Sequence, residues 1–94
     1  MPERLIITTN CLPGRAEEFI AARLPRHAEV QKEPGCEQFE LFRSVENPDK
    51  VVIIERWTTA EQLEAHRAVN RTRPQIGNEL RDGPSVGEQY NIPA

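Results

Sequence analysis

Two strand-like runs joined by a short turn in the middle of the chain limit the possible folds more than any other feature. Residues 36–45 and 51–58 are rich in apolar and β-branched side chains. The five residues between them, Glu46 to Lys50, form a loop of turn-forming types. This pattern predicts an antiparallel hairpin, and the elements on either side must be compatible with it.

The N-terminal segments add a strand and a helix. Residues 4–12 read as a strand that the pair Pro13-Gly14 ends. Apolar residues then recur at helical spacing as far as Val30, which predicts an amphipathic helix. Pro25 lies inside it and removes one backbone hydrogen bond, so we expect a kink or two helical pieces. The expected inner face contains Ala16, Phe19, Ile20, Arg23, Leu24, Ala28 and Val30, with Glu17, Glu18, Arg26 and Glu29 on the opposite side.

The C-terminal third predicts a second helix and a last strand. Thr59 stands three residues before Gln62, which is the pattern of a capping box. Pro74 fits the first turn of a further helical piece, and residues 86–92 read as the final strand. The residues that follow the cap at helical spacing are Leu63, Ala65, His66, Val69 and Asn70, and those expected inward in the further piece are Ile76 and Leu80.

The predicted order of elements is β-α-β-β-α-β. It corresponds to an α+β ferredoxin-like fold, a split β-α-β arrangement (βαββαβ) with both helices on one face of an antiparallel four-stranded sheet. The usual strand order, 4-1-3-2, separates the first two strands, so we expect Cys11 and Cys36 to be free thiols. Residues 1–94 have the size of one such domain.

Helices cover only one face of a sheet of this type. The other face would still carry apolar side chains such as Ile7, Phe42 and Val52. A second sheet from another copy of the chain would cover that face and convert two open sheets into a homodimeric α/β barrel. The polar strand residues Gln38 and Glu40 could then form hydrogen bonds across the twofold axis.

Composition and charge exclude several classes of function. The formal net charge is −3 and no run of Lys or Arg exceeds isolated pairs, so we expect no nucleic acid partner. The N-terminal residues resemble neither a signal peptide nor a membrane span, and we expect a cytoplasmic protein with no membrane contact. The sequence has no metal signature, so we expect no metal, and it has no flavin or dinucleotide fingerprint.

Several motifs together resemble the antibiotic biosynthesis monooxygenase domain. They are Pro13-Gly14, EPGCEQFELFRS at 33–44, ENPD at 46–49, ERW at 55–57 and T-x-E-x-L-E-A-H at 59–66. The resemblance implies a homodimer with a substrate cavity between the sheet and the helices of each subunit. It also implies cofactor-independent monooxygenase chemistry, in which a deprotonated electron-rich hydroxyaromatic (quinol-, anthrone- or polyketide-like) passes an electron to molecular oxygen.

The candidate site combines this implied cavity with residues placed by periodicity. Strand alternation and helical spacing allow Trp57 and His66 to face one another. His66 would be the catalytic base, because histidine exchanges protons near neutral pH. Trp57 would form an aromatic wall that holds a planar ring, and Asn10 and Phe39 would complete the wall of the cavity. Asn10 and Asn70 would orient a carbonyl or phenolate oxygen by hydrogen bonding.

Other interpretations of these residues remain open. His66 could be a satisfied core histidine, Trp57 a packing residue, and Glu55 a structural carboxylate paired with Arg43 or Arg73. The cavity could also belong to a non-catalytic homodimeric domain that binds a small apolar ligand. A third alternative is an isomerase of a small signalling metabolite.

Overall fold

The computed structural model describes residues 1–93, which form a four-stranded antiparallel sheet with two helices on one face. The strands are β1 (Glu3–Asn10), β2 (Cys36–Arg43), β3 (Lys50–Trp57) and β4 (Val86–Asn91), and the helices are α1 (Ala16–Val30) and α2 (Ala60–Asn70). The strand order β2-β3-β1-β4 confirms the predicted ferredoxin-like α+β fold. Neither helix has the length and apolar character needed to cross a membrane.

Local sequence explains where several elements begin. Thr59 accepts a hydrogen bond from the backbone amide of Gln62 at 3.2 Å, so the predicted capping residue starts α2. Gly14 adopts a positive φ of 75° in the turn after β1, a conformation that glycine tolerates best. Its amide donates to Asp49 Oδ1 at 3.0 Å, which ties this turn to the hairpin loop.

Helix α1 is continuous across Pro25. Of the two predicted outcomes, a kink or a division into two helical pieces, the division is therefore wrong. The Ala21 carbonyl, which loses its helical partner, belongs to an exposed residue where water can replace the bond. The inner face also differs from the prediction, since Leu24 is 53% exposed and His27 is buried. A stripe that repeats every three to four residues places His27 beneath the helix. The buried residues of α1 are Ala16, Phe19, His27 and Val30.

The segment between α2 and β4 contains one short 3-10 turn, Asn78–Leu80, where the sequence predicted a longer helical piece. Backbone hydrogen bonds fix this segment to the end of β1. Leu12 donates to the carbonyl of Leu80 at 2.8 Å, and Asp82 donates to the carbonyl of Asn10 at 2.7 Å. Backbone groups committed to these bonds cannot also extend a helix.

The covered face of the sheet carries the larger part of the core. Residues from three strands and both helices form one cluster, which consists of Leu5, Val30, Phe39, Ile53, Trp57 and Leu63. Ile7 packs against this cluster and pairs with Ile53, so its predicted place on the open face is wrong. Strand alternation puts Ile7 on the same side as Leu5. Cys11 and Cys36 are both free thiols, as predicted.

The open face carries a row of side chains across all four strands. The paired residues of this row are Val86, Thr8, Val52 and Phe42. Phe42 is 43% exposed and Val86 is 64% exposed. Gln38 accepts a hydrogen bond from Arg4 at 2.5 Å and donates one to Glu40 at 3.0 Å. The polar residues of the hairpin are therefore linked to one another within the subunit.

Candidate functional site

Two adjoining cavities lie between the covered face and the helices. The wide chamber, of about 400 Å³, lies between β1, β4 and α2 and is lined by residues such as Leu5, Leu63 and Gln89. The arginine chamber, of about 230 Å³, lies beneath α1 and contains Arg23, Arg26 and Arg81. The residues that line both are Ile7, Glu55, His66 and Asn70. This shared wall makes the two chambers parts of one site.

His66 is buried in the shared wall and is held by a carboxylate. Its Nδ1 lies 2.9 Å from Glu33 Oε1, and Arg73 donates to Glu33 Oε2 at 2.9 Å. The carboxylate acceptor favours the tautomer with the proton on Nδ1, which leaves a lone pair on Nε2. Among residues 1–93, Nε2 has no hydrogen-bond partner. His66 is therefore oriented on one side and available for proton transfer on the other.

Trp57 packs against the ring of His66. The two rings stack with centroids 4.7 Å apart and planes 25° apart. Trp57 is completely buried and lines neither chamber. The indole therefore does not form the aromatic wall of the cavity that the sequence led us to expect. The imidazole of His66 lies nearly parallel to the indole of Trp57, and this stacking restricts the orientation of His66.

Glu55 is a second ionisable group in the shared wall. Its Oε1 accepts a hydrogen bond from Trp57 Nε1 at 2.9 Å, and the expected partners Arg43 and Arg73 bind elsewhere. Burial raises the pKa of Glu55, and this effect outweighs the indole hydrogen bond and the nearby His66, which both favour the carboxylate. Two groups that can exchange protons therefore line the same site.

The structure brings two of the remaining three predicted residues to the chambers. The ring of Phe39 lies 5.7 Å from that of His66 and lines the arginine chamber. Asn70, in the last turn of α2, lines both chambers. Asn10 does not join them, because it is exposed and strand alternation puts its side chain on the open face. Asn10 lies on the predicted strand, but its side chain is on the face of the sheet opposite to the chambers.

The sequence did not identify the arginines of the smaller chamber as candidate site residues. The Nε atoms of Arg23 and Arg81 are buried without a hydrogen-bond partner among the described residues. Burial lowers the pKa of Arg23, and the neighbouring Arg26 lowers it further. A signal existed for Arg23, which is a charged residue within the apolar stripe of α1. Arg81 lies in the irregular segment before β4, where no periodicity could reveal its direction.

Solved structures share this fold over almost their full length. A candidate antibiotic biosynthesis monooxygenase from Nitrosomonas europaea has a TM-score of 0.86 and 22% identity, covering 97% of this chain and 89% of that chain. A protein of the same description from Caulobacter crescentus has a TM-score of 0.82 and 22% identity, covering 99% and 91%. A Pseudomonas aeruginosa protein has a TM-score of 0.80 and 25% identity, covering 99% and 95%.

No curated protein matches this chain at a significant level. The family model described as antibiotic biosynthesis monooxygenase matches residues 4–71. This range runs from β1 to the end of α2 and contains Glu33, Glu55, Trp57 and His66. It covers well over half of the sequence, and the chain therefore belongs to the antibiotic biosynthesis monooxygenase family.

Proposed function

We propose that the protein is a cofactor-independent monooxygenase that uses molecular oxygen to oxidise an electron-rich hydroxyaromatic compound, of quinol-, anthrone- or polyketide-like structure. One observation carries the proposal. His66 has Nδ1 engaged by Glu33 and Nε2 unpaired among the described residues, and its ring lines both chambers. Family membership supports the monooxygenase class.

The first chemical step is removal of the aromatic hydroxyl proton by His66 Nε2. Glu33 stabilises the imidazolium that forms, since its carboxylate lies on the other ring nitrogen. The phenolate then transfers one electron to oxygen, which produces a substrate radical and superoxide. Their combination at a ring carbon gives a peroxide. The imidazolium of His66 returns its proton to the outer oxygen of this peroxide. The ring carbon then loses its hydrogen as a proton while the O–O bond breaks, which leaves a carbonyl on the carbon and expels hydroxide, and the hydroxide takes up the released proton to become water.

The wide chamber supplies a suitable place for the ring. Its volume of about 400 Å³ lies within the range of small-molecule sites, and Leu5, Ile7 and Leu63 contribute apolar walls. Asn70 would orient a substrate oxygen beside His66, because its amide can donate or accept a hydrogen bond. Phe39 would limit access of water from the side of the arginine chamber.

We further propose that residues 1–94 act as one domain that pairs with a second copy through the open face. The support is the exposed apolar row that includes Phe42 and Val86. Pairing of two such faces would bury this row in a barrel. Equilibrium sedimentation at micromolar concentration should show a dimer, and a stable monomer would refute this part of the proposal.

The test of the reaction is oxygen uptake by protein freed of metal and flavin. The panel consists of naphthalene diols, anthrones and quinols, and the uncatalysed autoxidation rate of each compound is subtracted. We expect uptake above this rate with at least one compound, accompanied by formation of the corresponding quinone. If no member of the panel is oxidised faster than in buffer, the monooxygenase proposal fails and a non-catalytic binding domain becomes the better explanation.

A further inference from the structure

The arginine chamber is lined by more positively charged residues than negatively charged ones. Arg23 makes no ion pair with the described residues, and Arg81 meets only the neutral hydroxyl of Ser85 at 3.2 Å. Arg26 has a distant carboxylate partner, Glu29, at 3.9 Å. Glu55 is the one carboxylate in the described lining. The chamber is therefore electropositive.

The two unpaired arginines also present unsatisfied donors. The Nε atoms of Arg23 and Arg81 are shielded from solvent without a protein acceptor in residues 1–93. Leaving a charged donor buried and unpaired is costly, so such a group is usually explained by a ligand or another partner. The guanidinium presents its donors as a planar fork that matches the two oxygens of a carboxylate.

The backbone holds both side chains in defined places. Arg23 lies in the middle of the continuous helix α1. Arg81 forms an isolated antiparallel bridge with Cys11, and the adjacent hydrogen bond from Asp82 to the carbonyl of Asn10 measures 2.7 Å. Two arginines on anchored backbone can bind an anion with little ordering cost.

The approach to the chamber is basic as well. A neighbouring groove of about 310 Å³ shares Arg23 and Arg26 with the chamber and adds Arg71 and Arg73. Five of the ten arginines in the sequence thus line these two adjoining spaces, although the formal net charge of the chain is −3. A local concentration of one charge in a cleft attracts ligands of the opposite charge.

We propose that the arginine chamber binds a carboxylate group of the substrate, and that the substrates are hydroxyaromatic carboxylic acids. This inference rests on the proposed function and specifies its substrate class. Arg23 and Arg81 hold the carboxylate, while the ring lies in the wide chamber beside His66. A singly charged carboxylate suits the chamber better than a phosphate dianion, because Glu55 shares the wall and repels additional negative charge.

The experiment compares two ligands that differ in one group, 3-hydroxy-2-naphthoic acid and its neutral amide. Isothermal titration calorimetry at neutral pH measures their dissociation constants. We expect the acid to bind at least about tenfold more tightly than the amide, as charge-assisted hydrogen bonds are stronger than neutral ones. Arg23→Gln and Arg81→Gln should each weaken acid binding about tenfold and leave amide binding nearly unchanged.

The matched control is Arg15→Gln. Arg15 is exposed, pairs with Glu18 at 2.8 Å and lies outside the chambers, so its loss should change neither dissociation constant. Circular dichroism establishes that each variant is folded, and the two chamber variants provide independent tests. Equal affinities for acid and amide, no binding of either ligand, or an equal loss of both in the variants would overturn the carboxylate site.

Oxygen uptake is measured separately and distinguishes this inference from the proposed function. Selective acid binding that depends on Arg23, without oxygen consumption by any hydroxyaromatic, would support the carboxylate site and refute the monooxygenase. Oxygen consumption with neutral substrates and no preference for acids would support the monooxygenase and overturn the carboxylate site.

Discussion

The two histidines of the chain are both buried beside Phe39, yet their surroundings are opposite. His66 has Glu33 on one nitrogen and lines two chambers. The ring centroid of His27 lies 4.6 Å from that of Phe39, and His27 lines neither chamber. Neither of its nitrogens has a hydrogen-bond partner among the described residues.

The surroundings of His27 determine the charge of its ring. Burial and the nearby charge of Arg23 lower the pKa of His27 to about 4, so it is a neutral packing residue at physiological pH. His66 instead has the carboxylate of Glu33 2.9 Å from its Nδ1. The comparison shows that two buried histidines can differ in what surrounds them, so burial alone does not distinguish the proposed base His66 from His27. The features that separate them are the carboxylate on one nitrogen of His66 and the open space beside its ring.

The largest expected effect tests this comparison directly. His66→Ala should lower the turnover number for oxygen uptake by about 10² to 10⁴-fold, the usual contribution of a general base. His27→Leu should leave it within about twofold, because His27 lines neither chamber and the leucine can still pack against Phe39. Steady-state oxygen-electrode measurements provide the rates. Comparable losses in both variants would show that the two histidines are not functionally distinct.

The second prediction concerns Glu33 as a positioning residue. Glu33→Gln keeps a carbonyl acceptor for the Nδ1 proton but removes the charge that stabilises the imidazolium. We expect the turnover number to fall about 10 to 100-fold with KM nearly unchanged. Glu33→Asp should recover part of the lost rate. A rise in KM with an unchanged turnover number would instead assign Glu33 to substrate binding.

The third prediction concerns the stability contributed by neutral His27. Its pKa is lowered in the folded state, so the unfolded chain binds more protons below about pH 6.5 and stability is lost as the pH falls toward about 4. Between pH 7 and pH 4, the free energy of unfolding of the parent protein should decrease by about 2 kcal/mol more than that of His27→Leu. Urea denaturation at both pH values measures this. Parallel pH profiles would show that His27 is not held neutral.

The smallest effect is expected for Glu55, where only the direction is predicted. Burial raises its pKa in the folded state, so the folded protein retains the proton more strongly and ionisation at higher pH costs stability. Glu55→Gln should therefore stabilise the protein near neutral pH and have less effect below about pH 4. The amide oxygen that this substitution introduces can still accept the Trp57 hydrogen bond. Urea denaturation of both proteins at the two pH values measures the difference, and destabilisation at neutral pH would indicate that the charge itself is needed.

Patterns of neighbouring residues were sufficient to predict most of the fold. The Thr59 cap depends on an interaction three residues away, and the hairpin depends on alternating residues around a turn. The order of elements then leaves few compact arrangements, since connections are short and crossovers are right-handed. The family resemblance rested on the same continuous segments.

Apart from the helix bounds at Pro25 and before β4, the errors arose where a face or a rotation had to be chosen. The Ile7 side chain lies on the covered face and the Asn10 side chain on the open face, the reverse of their predicted places. In α1, His27 is buried and Leu24 is exposed. The spacing of apolar residues shows that one face of a helix or strand is buried. Packing against neighbouring elements decides whether a residue at the edge of that face is buried or exposed.

Local sequence thus specified the strands, the helices, their order and the candidate base His66. The tertiary structure alone showed that Glu33, 33 positions away, holds its imidazole, and that Arg73 holds Glu33 across 40 positions. The tertiary structure alone also showed that Arg23 and Arg81 line the same chamber. The physical reason is that hydrogen bonds and charge clusters between distant segments depend on the packing of complete elements, which leaves no regular spacing in the chain.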